Sequence, residues 1–276
     1  MNYDKSKDNQ DHYQNIDSEQ KVDFGFKKVK INEKSNLVKD IFSNVAPKYD
    51  IMNDAMSFGI QRLWKNKMIE TLIKELAIEN NNNTHKLLKI LDVASGTGDI
   101  ALKIAKNLSQ KNQSHQIEAT DINQEMLKIG VKKAVDENLF QNINFSCCSG
   151  ENLPFENSSF DAITIAFGIR NFTNINKALA EFNRVLKPNG KLICLEFSKV
   201  NDYFLQKIYN FHSFKIIPKI GEIIAKDRDS YQYLVESIRK FPPQEEFKKM
   251  IDGANFQQSC FINLSFGTVA IHIATK

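Results

Sequence analysis

The chain has 276 residues, of which 42% are hydrophobic and 25% charged, and a formal net charge of +4. This length and composition suit one large folded domain with a substantial core. The weak positive charge forms no basic stripe, so nucleic-acid binding is not expected. The four cysteines lack CxxC and Cys/His metal spacing, so neither a disulfide framework nor a metal site is expected, and a reducing, cytoplasmic setting is favoured.

The N-terminal region divides into a tail and a helical segment. Residues 1–35 are polar and acidic, which predicts a disordered tail and neither a signal nor a transit peptide. Residues 36–80 are predicted as a helical lid, in which Pro47 separates one helix from a second, QRLWKNKMIETLIKELAI, with a helical apolar period. No apolar run approaches the roughly 18 residues that a bilayer span needs. Residues 36–276 are therefore expected to form a single domain with this lid.

From residue 87, short apolar runs alternate with amphipathic helices. The predicted strands are LLKILDVAS, QIEATDI, INFSCCS, FDAITIAFGI and KLICLEFS. The predicted helices begin at Asp99, Asn123 and Ile175. Asp99 is expected to cap the first of them, and the third is expected to end at the turn KPNG. Residues 201–235 interrupt this rhythm as an insertion, QEEFKKMIDGA resumes it with a helix, and CFINLSFGTVAIHIATK predicts an antiparallel hairpin. Such alternation is typical of a doubly wound α/β fold with a mostly parallel sheet.

A turn of small residues, Ser95 to Asp99, follows the first of these strands. In a doubly wound sheet, ligands bind beyond the carboxyl ends of the strands. Gly96 and Gly98 would let the backbone approach a ligand closely and adopt positive φ. We therefore expect a cofactor here, the alternative being a tight strand-to-helix turn.

The acidic residues around this turn favour one cofactor class over another. A dinucleotide would place its pyrophosphate at the helix N-terminus, where Asp92 and Asp99 put negative charges. S-adenosylmethionine carries a cationic sulfonium and ammonium and no phosphate, so these acids suit it. Asp121, which ends the second strand, is placed to accept hydrogen bonds from both ribose hydroxyls. The pattern thus predicts S-adenosylmethionine as the cofactor.

Four long blocks resemble the ubiquinone/menaquinone biosynthesis C-methyltransferase family. They read IFSNVAPKYDIMNDAMSFGIQRLWK, ENLPFENSSFDAITIAFGIRNFTNINKALAEFNRVLKPNG, LEFSK and SYQYLVESIRKFPPQEEF, and the resemblance covers roughly residues 38–276. It implies a class I S-adenosylmethionine-dependent methyltransferase fold, whose mostly parallel seven-stranded sheet ends in a C-terminal antiparallel hairpin. It also implies methylation of a ring carbon of a polyprenylated quinol, either 2-methoxy-6-polyprenyl-1,4-benzoquinol or demethylmenaquinol or both.

The resemblance carries cofactor contacts onto particular positions. The family's G-T-G threonine is Thr97, and the pair before E-x-L-P-F is Ser149-Gly150, where adenine would lie. The chain has Ser95 where the family has glycine, and Ala166 where many members have serine; neither change adds much bulk or removes charge, so we expect binding to survive. The complete set of expected cofactor residues is Asp92, Gly96, Thr97, Gly98, Asp121, Ser149, Gly150 and Ala166.

Methylation of a quinol ring needs an ionised hydroxyl, an aligned methyl donor and exclusion of water. Arg170 follows the fourth strand and is our candidate for stabilising the phenolate, the alternative being a structural ion pair. Tyr49 and Asp50, in the lid, are candidates for positioning the ring or relaying a proton, with capping and packing as the alternative. His212, in the insertion, is expected to be structural.

The insertion suggests how a polyprenyl substrate reaches the enzyme. Residues 203–224 are aromatic and aliphatic with three lysines, which suits a channel opening at an anionic membrane surface, although a subunit interface or packed lid has the same composition. We expect peripheral contact at the inner face of the membrane, with a homodimer or a quinone-biosynthesis complex also possible.

Two other functions stay open. One is a methyltransferase for another small-molecule acceptor, and the other is a non-catalytic, cofactor-binding scaffold of a quinone-biosynthesis complex. The segment AFGIRNF stands where nucleic-acid N-methyltransferases usually carry an N-P-P-[FYW] motif, which argues against that class.

Overall fold

The computed structural model describes residues 20–46, 54, 57, 59–77, 86–199 and 228–276. The strands are β1 (Lys21–Phe24), β2 (Lys27–Lys30), β3 (Leu88–Val93), β4 (His115–Asp121), β5 (Ile143–Cys147), β6 (Phe160–Ala166), β7 (Leu186–Phe197), β8 (Gln258–Leu264) and β9 (Val269–Thr275). The helices are α1 (Ile31–Val45), α2 (Ile60–Glu75), α3 (Asp99–Gln110), α4 (Gln124–Asp136), α5 (Ile175–Val185), α6 (Arg228–Lys240) and α7 (Gln244–Gly253).

A seven-stranded sheet organises the molecule, in the order β5-β4-β3-β6-β7-β9-β8. Strands β3 to β7 pair parallel with one another, whereas β9 pairs antiparallel with both β7 and β8. The strand order reverses beside β3, because β4 and β5 lie on one side of it and β6 and β7 on the other. This arrangement confirms the predicted α/β class with its C-terminal antiparallel hairpin, and it sets a switch point between β3 and β6.

Two apolar layers cover the two faces of the sheet. Alternate strand residues point to opposite faces, so Ile90 packs in one layer while Leu91 and Val93 pack in the other. Helices α2 and α3 contribute to the first layer, and α5 and α7 to the second. Because both faces are covered, β6 is buried along almost its whole length, as parallel strands usually are.

The N-terminal region differs from its prediction as a disordered tail through residue 35. Strands β1 and β2 form an antiparallel hairpin, with Gly25 at φ +59° in its turn, and α1 already begins at Ile31. The ring of Phe24 stacks on that of Tyr233 in α6, with 4.4 Å between centroids. The hairpin is therefore held by a helix some 200 residues away, which no local pattern reveals. Residues 1–19 lie outside the described part of the chain.

Three other boundaries differ from those predicted. Gly98, at φ +76°, occupies the cap position of α3, so Asp99 is the first helical residue and not the cap. The KPNG turn is an irregularity within β7, where Asn189 has φ +64°. The predicted insertion ends at 235, yet 228–235 belong to α6, and 200–227 lie outside the described residues. The lid function of residues 36–80 stays a prediction.

None of the helices in the described residues is long and apolar enough to cross a membrane.

Candidate active site

A cleft opens at the carboxyl ends of β3, β4 and β6, at the switch point of the sheet. The cleft is open to solvent, and it lies where ligands usually bind in doubly wound sheets. The loops that follow these three strands form its floor and walls, and α1 contributes Val38, Lys39 and Phe42. The topology of the sheet thus brings three segments that are distant in sequence to one site.

Unusual backbone conformations cluster at this edge of the sheet. Ala94 (φ +51°) follows β3, and Phe167 (φ +57°) follows β6, and both line the cleft. Gly96 has φ +56° and Gly98 φ +76°, conformations that glycine adopts without steric cost. A Cβ on Gly168 would lie 2.6 Å from Cβ of Ala94, so the two loops are in close contact. Left-handed non-glycine residues often cluster where a ligand binds.

Asp121 links the glycine loop to the end of β4. Its Oδ2 accepts a hydrogen bond from the Gly96 amide at 2.9 Å, and its Oδ1 accepts one from the Asn123 amide at 2.8 Å. Burial raises the pKa of Asp121, while these backbone hydrogen bonds oppose the shift. Each carboxylate oxygen has a second lone pair, so Asp121 retains the capacity to accept hydroxyl donors from a ligand in the cleft.

Ser149 and Gly150, which follow the strand beside Asp121, also line the cleft. A Cβ on Gly150 would lie 2.7 Å from Cζ of Phe172 and 2.8 Å from Cγ1 of Val93, so only glycine fits. Ser149 Oγ accepts a hydrogen bond from the Glu151 amide at 3.2 Å. Of the predicted cofactor residues, the structure brings together Gly96, Asp121, Ser149, Gly150 and Ala166 as lining residues of one cleft.

Three predicted cofactor residues, Asp92, Thr97 and Gly98, lie behind the loop and not in the lining of the cleft. Asp92 Oδ1 accepts a hydrogen bond from Thr164 Oγ1 at 2.8 Å, and burial raises its pKa to about 7. Thr97 Oγ1 accepts a hydrogen bond from Lys133 Nζ at 3.0 Å. These residues support the loop from within the fold.

In the structure, the acids that favoured a cationic ligand present less negative charge to the cleft than the sequence suggests. Lys65 Nζ lies 2.7 Å from Asp99 Oδ2. Although burial opposes it, the Lys65 ammonium holds the pKa of Asp99 below its usual value. Because Asp99 already has a cationic partner and Asp92 is buried, neither presents a free charge to the cleft.

Arg170 sits in a buried ion pair beside the cleft. Its side chain is 3% exposed, and Nη1 lies 2.8 Å from Glu196 Oε1 and also donates to the Phe167 carbonyl. Burial raises the pKa of Glu196, and the Arg170 charge counteracts that rise. Arg170 is absent from the lining of this cleft and borders a second cavity beyond the turn at Ile169–Asn171. Its contacts are those of the structural ion pair, and a role on a phenolate stays a prediction.

A protein-family model described as the ubiE/COQ5 methyltransferase family matches residues 28–276. The chain belongs to this family. The ubiquinone/menaquinone biosynthesis C-methyltransferase UbiE of Rickettsia bellii is 55% identical over 255 residues, which cover 92% of this chain and 98% of that protein.

Solved structures give the same fold for this ubiE/COQ5 family member. The CurJ carbon methyltransferase superposes with a TM-score of 0.59 at 15% identity, covering 100% of this chain and 72% of CurJ. The YcgJ protein from Bacillus subtilis superposes with a TM-score of 0.52 at 17% identity, covering 76% and 98%. The fold is that of class I S-adenosylmethionine-dependent methyltransferases, and both family and fold imply use of that cofactor.

Several expected residues of this ubiE/COQ5 member lie outside the described part of the chain. Tyr49, Asp50 and His212 belong to this group, so their roles stay predictions. Within the described residues, no group of three or more His, Cys, Asp or Glu is placed to hold a metal ion. The expectation of a metal-free site likewise stays a prediction.

Asn123 was predicted from the sequence only as the start of a helix, and the structure places it at the cleft as well. Its Oδ1 caps α4 by accepting hydrogen bonds from the amides of Glu125 and Met126. Its Nδ2 donates to the Lys39 carbonyl at 3.1 Å and to Ser43 Oγ at 3.0 Å, both in α1. The capping role was detectable from an asparagine before an amphipathic helix. The contact with α1 was not, because it spans 80 residues or more.

Proposed function

We propose that this ubiE/COQ5 family member is an S-adenosylmethionine-dependent C-methyltransferase acting on the ring of a polyprenylated quinol in ubiquinone or menaquinone biosynthesis. The observation that carries the proposal is the cleft at the switch point, where Asp121 holds the Gly96 amide beside the narrow wall at Gly150. The acceptor class comes from close relatives that are named as ubiquinone/menaquinone biosynthesis C-methyltransferases.

The residues of the cleft fit S-adenosylmethionine, which supplies an electrophilic methyl group when bound. Asp121 would accept hydrogen bonds from the ribose hydroxyls with its remaining lone pairs. Ser149 and Gly150 would face the adenine, since both line the cleft and Gly150 lets Phe172 and Val93 pack closely against the backbone there. The backbone from Ala94 to Gly96 would pass beneath the methionine part. Among the described residues, the cleft lining has two acids, Asp121 and Glu151, and one cation, Lys39, a balance that suits a cationic sulfonium.

On the acceptor side, this chain's own residues would orient the ring and exclude water. Phe42, Phe167 and Phe172 supply apolar walls around the cleft. Arg170, Tyr49 and Asp50 remain our catalytic candidates: Arg170 for stabilising the negative charge on the ring oxygen, and the other two for placing the ring or moving a proton. The Arg170–Glu196 pair would hold the guanidinium at the edge of the site until an anionic oxygen arrives.

A polyprenyl tail partitions into lipid, so we propose that the enzyme works at the cytoplasmic face of a membrane without spanning it. The quinol is thus the proposed small-molecule partner and the bilayer surface the proposed site of encounter. A homodimer and membership of a quinone-biosynthesis complex stay predictions.

The test is methyl transfer from labelled S-adenosylmethionine to reduced demethylmenaquinol and to a reduced methoxy-polyprenyl-benzoquinol in detergent. A carbon-methylated product from either quinol would support the proposal and identify the ring. Saturable cofactor binding without product from either quinol would overturn it, and would support the scaffold. Transfer to an oxygen or nitrogen acceptor alone would support a methyltransferase of another specificity.

The role of Arg170 needs a separate comparison, because loss of activity in Arg170→Ala has two explanations. Breaking a buried ion pair costs about 3–5 kcal/mol, so the variant can fail through instability. Glu196→Gln removes the same pair and keeps the guanidinium. If Arg170→Lys loses kcat at unchanged cofactor affinity while a folded Glu196→Gln retains it, Arg170 acts on the substrate. Equal loss of activity in both variants, in step with loss of stability, would leave only the structural role.

A further inference from the structure

The N-terminal hairpin carries an exposed aromatic ring among lysines, which we call the hairpin surface. Its members are exposed residues of β1, β2 and the turn between them: Lys21, Phe26, Lys27, Lys28 and Lys30. Phe26 is 54% exposed and lies between exposed lysines. From Lys21 to Lys30 the hairpin has four lysines and one acid, Asp23. The tip therefore combines apolar and cationic character.

The tip is held in place by α6. The Phe26 amide donates a hydrogen bond to Glu236 Oε2 at 2.9 Å, and Gly25 lies directly against the same carboxylate. The ring of Phe24, at the end of β1, stacks on that of Tyr233. Because these contacts with α6 hold the hairpin backbone in place, Phe26 and Lys27 are exposed to solvent in the folded structure.

The hairpin surface connects to the cleft through the same helix. Tyr233 donates a hydrogen bond from its hydroxyl to Asn171 Oδ1 at 3.1 Å, and Asn171 lines the cleft. Thus one side chain, Tyr233, contacts both the hairpin ring of Phe24 and a residue of the candidate active site. The hairpin and the candidate site are therefore joined through one buried side chain of α6.

We propose that the hairpin surface docks the enzyme on a bilayer that contains anionic phospholipid. Phe26 enters the headgroup region, and Lys21, Lys27 and Lys30 lie against lipid phosphates, whereas Lys28 is paired with Asp23 at 2.9 Å. An interfacial lipid layer accepts a single aromatic ring flanked by lysines. A stable protein interface needs a larger apolar centre than one ring provides. The inference rests on the proposed function in one respect: a quinol that resides in the membrane would require the enzyme to dock there.

Co-sedimentation with phosphatidylcholine vesicles, with and without phosphatidylglycerol, tests the proposal on the full chain. We expect binding to the anionic vesicles that weakens at high salt, and little binding to phosphatidylcholine alone. Lys21→Glu/Lys27→Glu should weaken the partitioning by about tenfold or more, because each lysine at an anionic surface contributes about fivefold. Phe26→Ser should weaken it several-fold at every salt concentration.

Matched variants separate the hairpin from general charge effects. Lys74→Glu/Lys132→Glu makes the same charge change at exposed positions on α2 and α4, and Val131→Ser removes an exposed apolar side chain from α4. Both controls should keep vesicle binding within about twofold of the original protein, since charges beyond a Debye length from the contact are screened. Circular dichroism and thermal unfolding would verify that every variant is folded.

The outcomes are distinguishable from those of the methyl-transfer assay. Absence of binding to anionic vesicles, or equal weakening by hairpin and control variants, would overturn the docking surface even if a quinol in detergent is methylated. Capture of an acidic protein with no vesicle binding would overturn it too. Hairpin-dependent vesicle binding by a protein that methylates neither quinol would support the docking surface and overturn the proposed function.

Discussion

At the scale of single residues, Asp121 joins the end of β4 to the glycine loop. We predict that Asp121→Asn weakens S-adenosylmethionine binding by about 10–100-fold, because hydrogen bonds to a charged group contribute about 1.5–3 kcal/mol. The asparagine side chain keeps one acceptor oxygen and has an NH2 donor in place of the other. That donor would face the Gly96 N–H and a ribose hydroxyl, which are themselves donors. Isothermal titration calorimetry with S-adenosylmethionine and S-adenosylhomocysteine would measure the change.

Glu118→Gln is the matched control for Asp121→Asn. Glu118 lies on the same strand, accepts a hydrogen bond from Asn144 at 2.7 Å and is absent from the lining of the cleft. Its substitution should leave cofactor affinity nearly unchanged. Equal affinities of Asp121→Asn and the original protein would remove Asp121 from the proposed ribose site.

Gly150 offers a steric prediction. In Gly150→Ala, the added methyl would meet Phe172 and Val93 at less than van der Waals distance, so Phe172 must shift within the cleft. We expect cofactor affinity to fall about tenfold or more and stability to fall by about 1–3 kcal/mol, the usual cost of overpacking. Calorimetry and chemical denaturation would measure both quantities.

Gly253→Ala provides the comparison, because a Cβ there has no neighbour within 4 Å among the described residues. That variant should bind the cofactor normally. If Gly150→Ala also binds normally, the wall at Gly150 is not a cofactor contact.

The sequence could predict which residues meet at the cleft where strand ends decide the position, although their binding of the cofactor stays a prediction. Gly96, Asp121 and Ala166 end or follow parallel strands, so their meeting at one cleft followed from the topology. Asp92 and Thr97 were expected at the cofactor from the same motif, yet their side chains turn towards Thr164 and Lys133. The direction of a side chain at a strand end depends on partners that are distant in sequence.

At the scale of elements, Asn123 connects α1 to α4 above the cleft. We predict that Asn123→Asp weakens cofactor binding about tenfold. Aspartate would still cap α4, but it cannot donate to the Lys39 carbonyl or to Ser43. Hydrogen exchange should then increase in α1 more than in α4, because only the connection to α1 is lost.

Asn174→Asp is the corresponding change at the cap of α5, where the side chain accepts from the Lys177 amide at 3.0 Å. This substitution should affect neither α1 exchange nor cofactor binding. If Asn123→Asp leaves exchange in α1 unchanged, Asn123 does not hold α1 over the site.

Helices and strands could be predicted where a local sequence pattern specifies them. Strands β3 to β7 and helices α3 to α5 follow from apolar periodicity, since they alternate regularly and are buried by adjacent elements. The β1–β2 hairpin was missed, because its short apolar residues gain burial only from α6. Asp99 was taken for a cap because acidic residues favour that position, although Gly98 in the left-handed conformation supplies it.

At the scale of the whole molecule, Asp92 makes folding stability depend on pH. Burial raises its folded-state pKa from 3.8 to about 7, so between these values the folded protein retains a proton that the unfolded chain releases. Stability from this group therefore falls as pH rises through that window and is lowest above it. We predict that Asp92→Asn gains about 4 kcal/mol over the original protein between pH 4 and pH 8.

Denaturant unfolding at several pH values would measure this difference. Asp161→Asn is a useful contrast, because Lys187 and the Lys89 amide hold the pKa of Asp161 below its usual value even though burial opposes them. That substitution should cost stability at neutral pH and not at acid pH. A pH-independent difference between Asp92→Asn and the original protein would contradict a raised pKa at Asp92.

The position of β9 has a consequence for biosynthesis. This strand lies between β7 and β8, and its residues from Val269 to Ala274 are buried. While the ribosome is still making the segments before Val269, β7 lacks one of its two neighbours, and β8 has no partner in the sheet. The nascent chain thus exposes an open, apolar sheet edge until β9 has been made. Completion of the sheet is a late event, and chaperone binding should be strongest just before it.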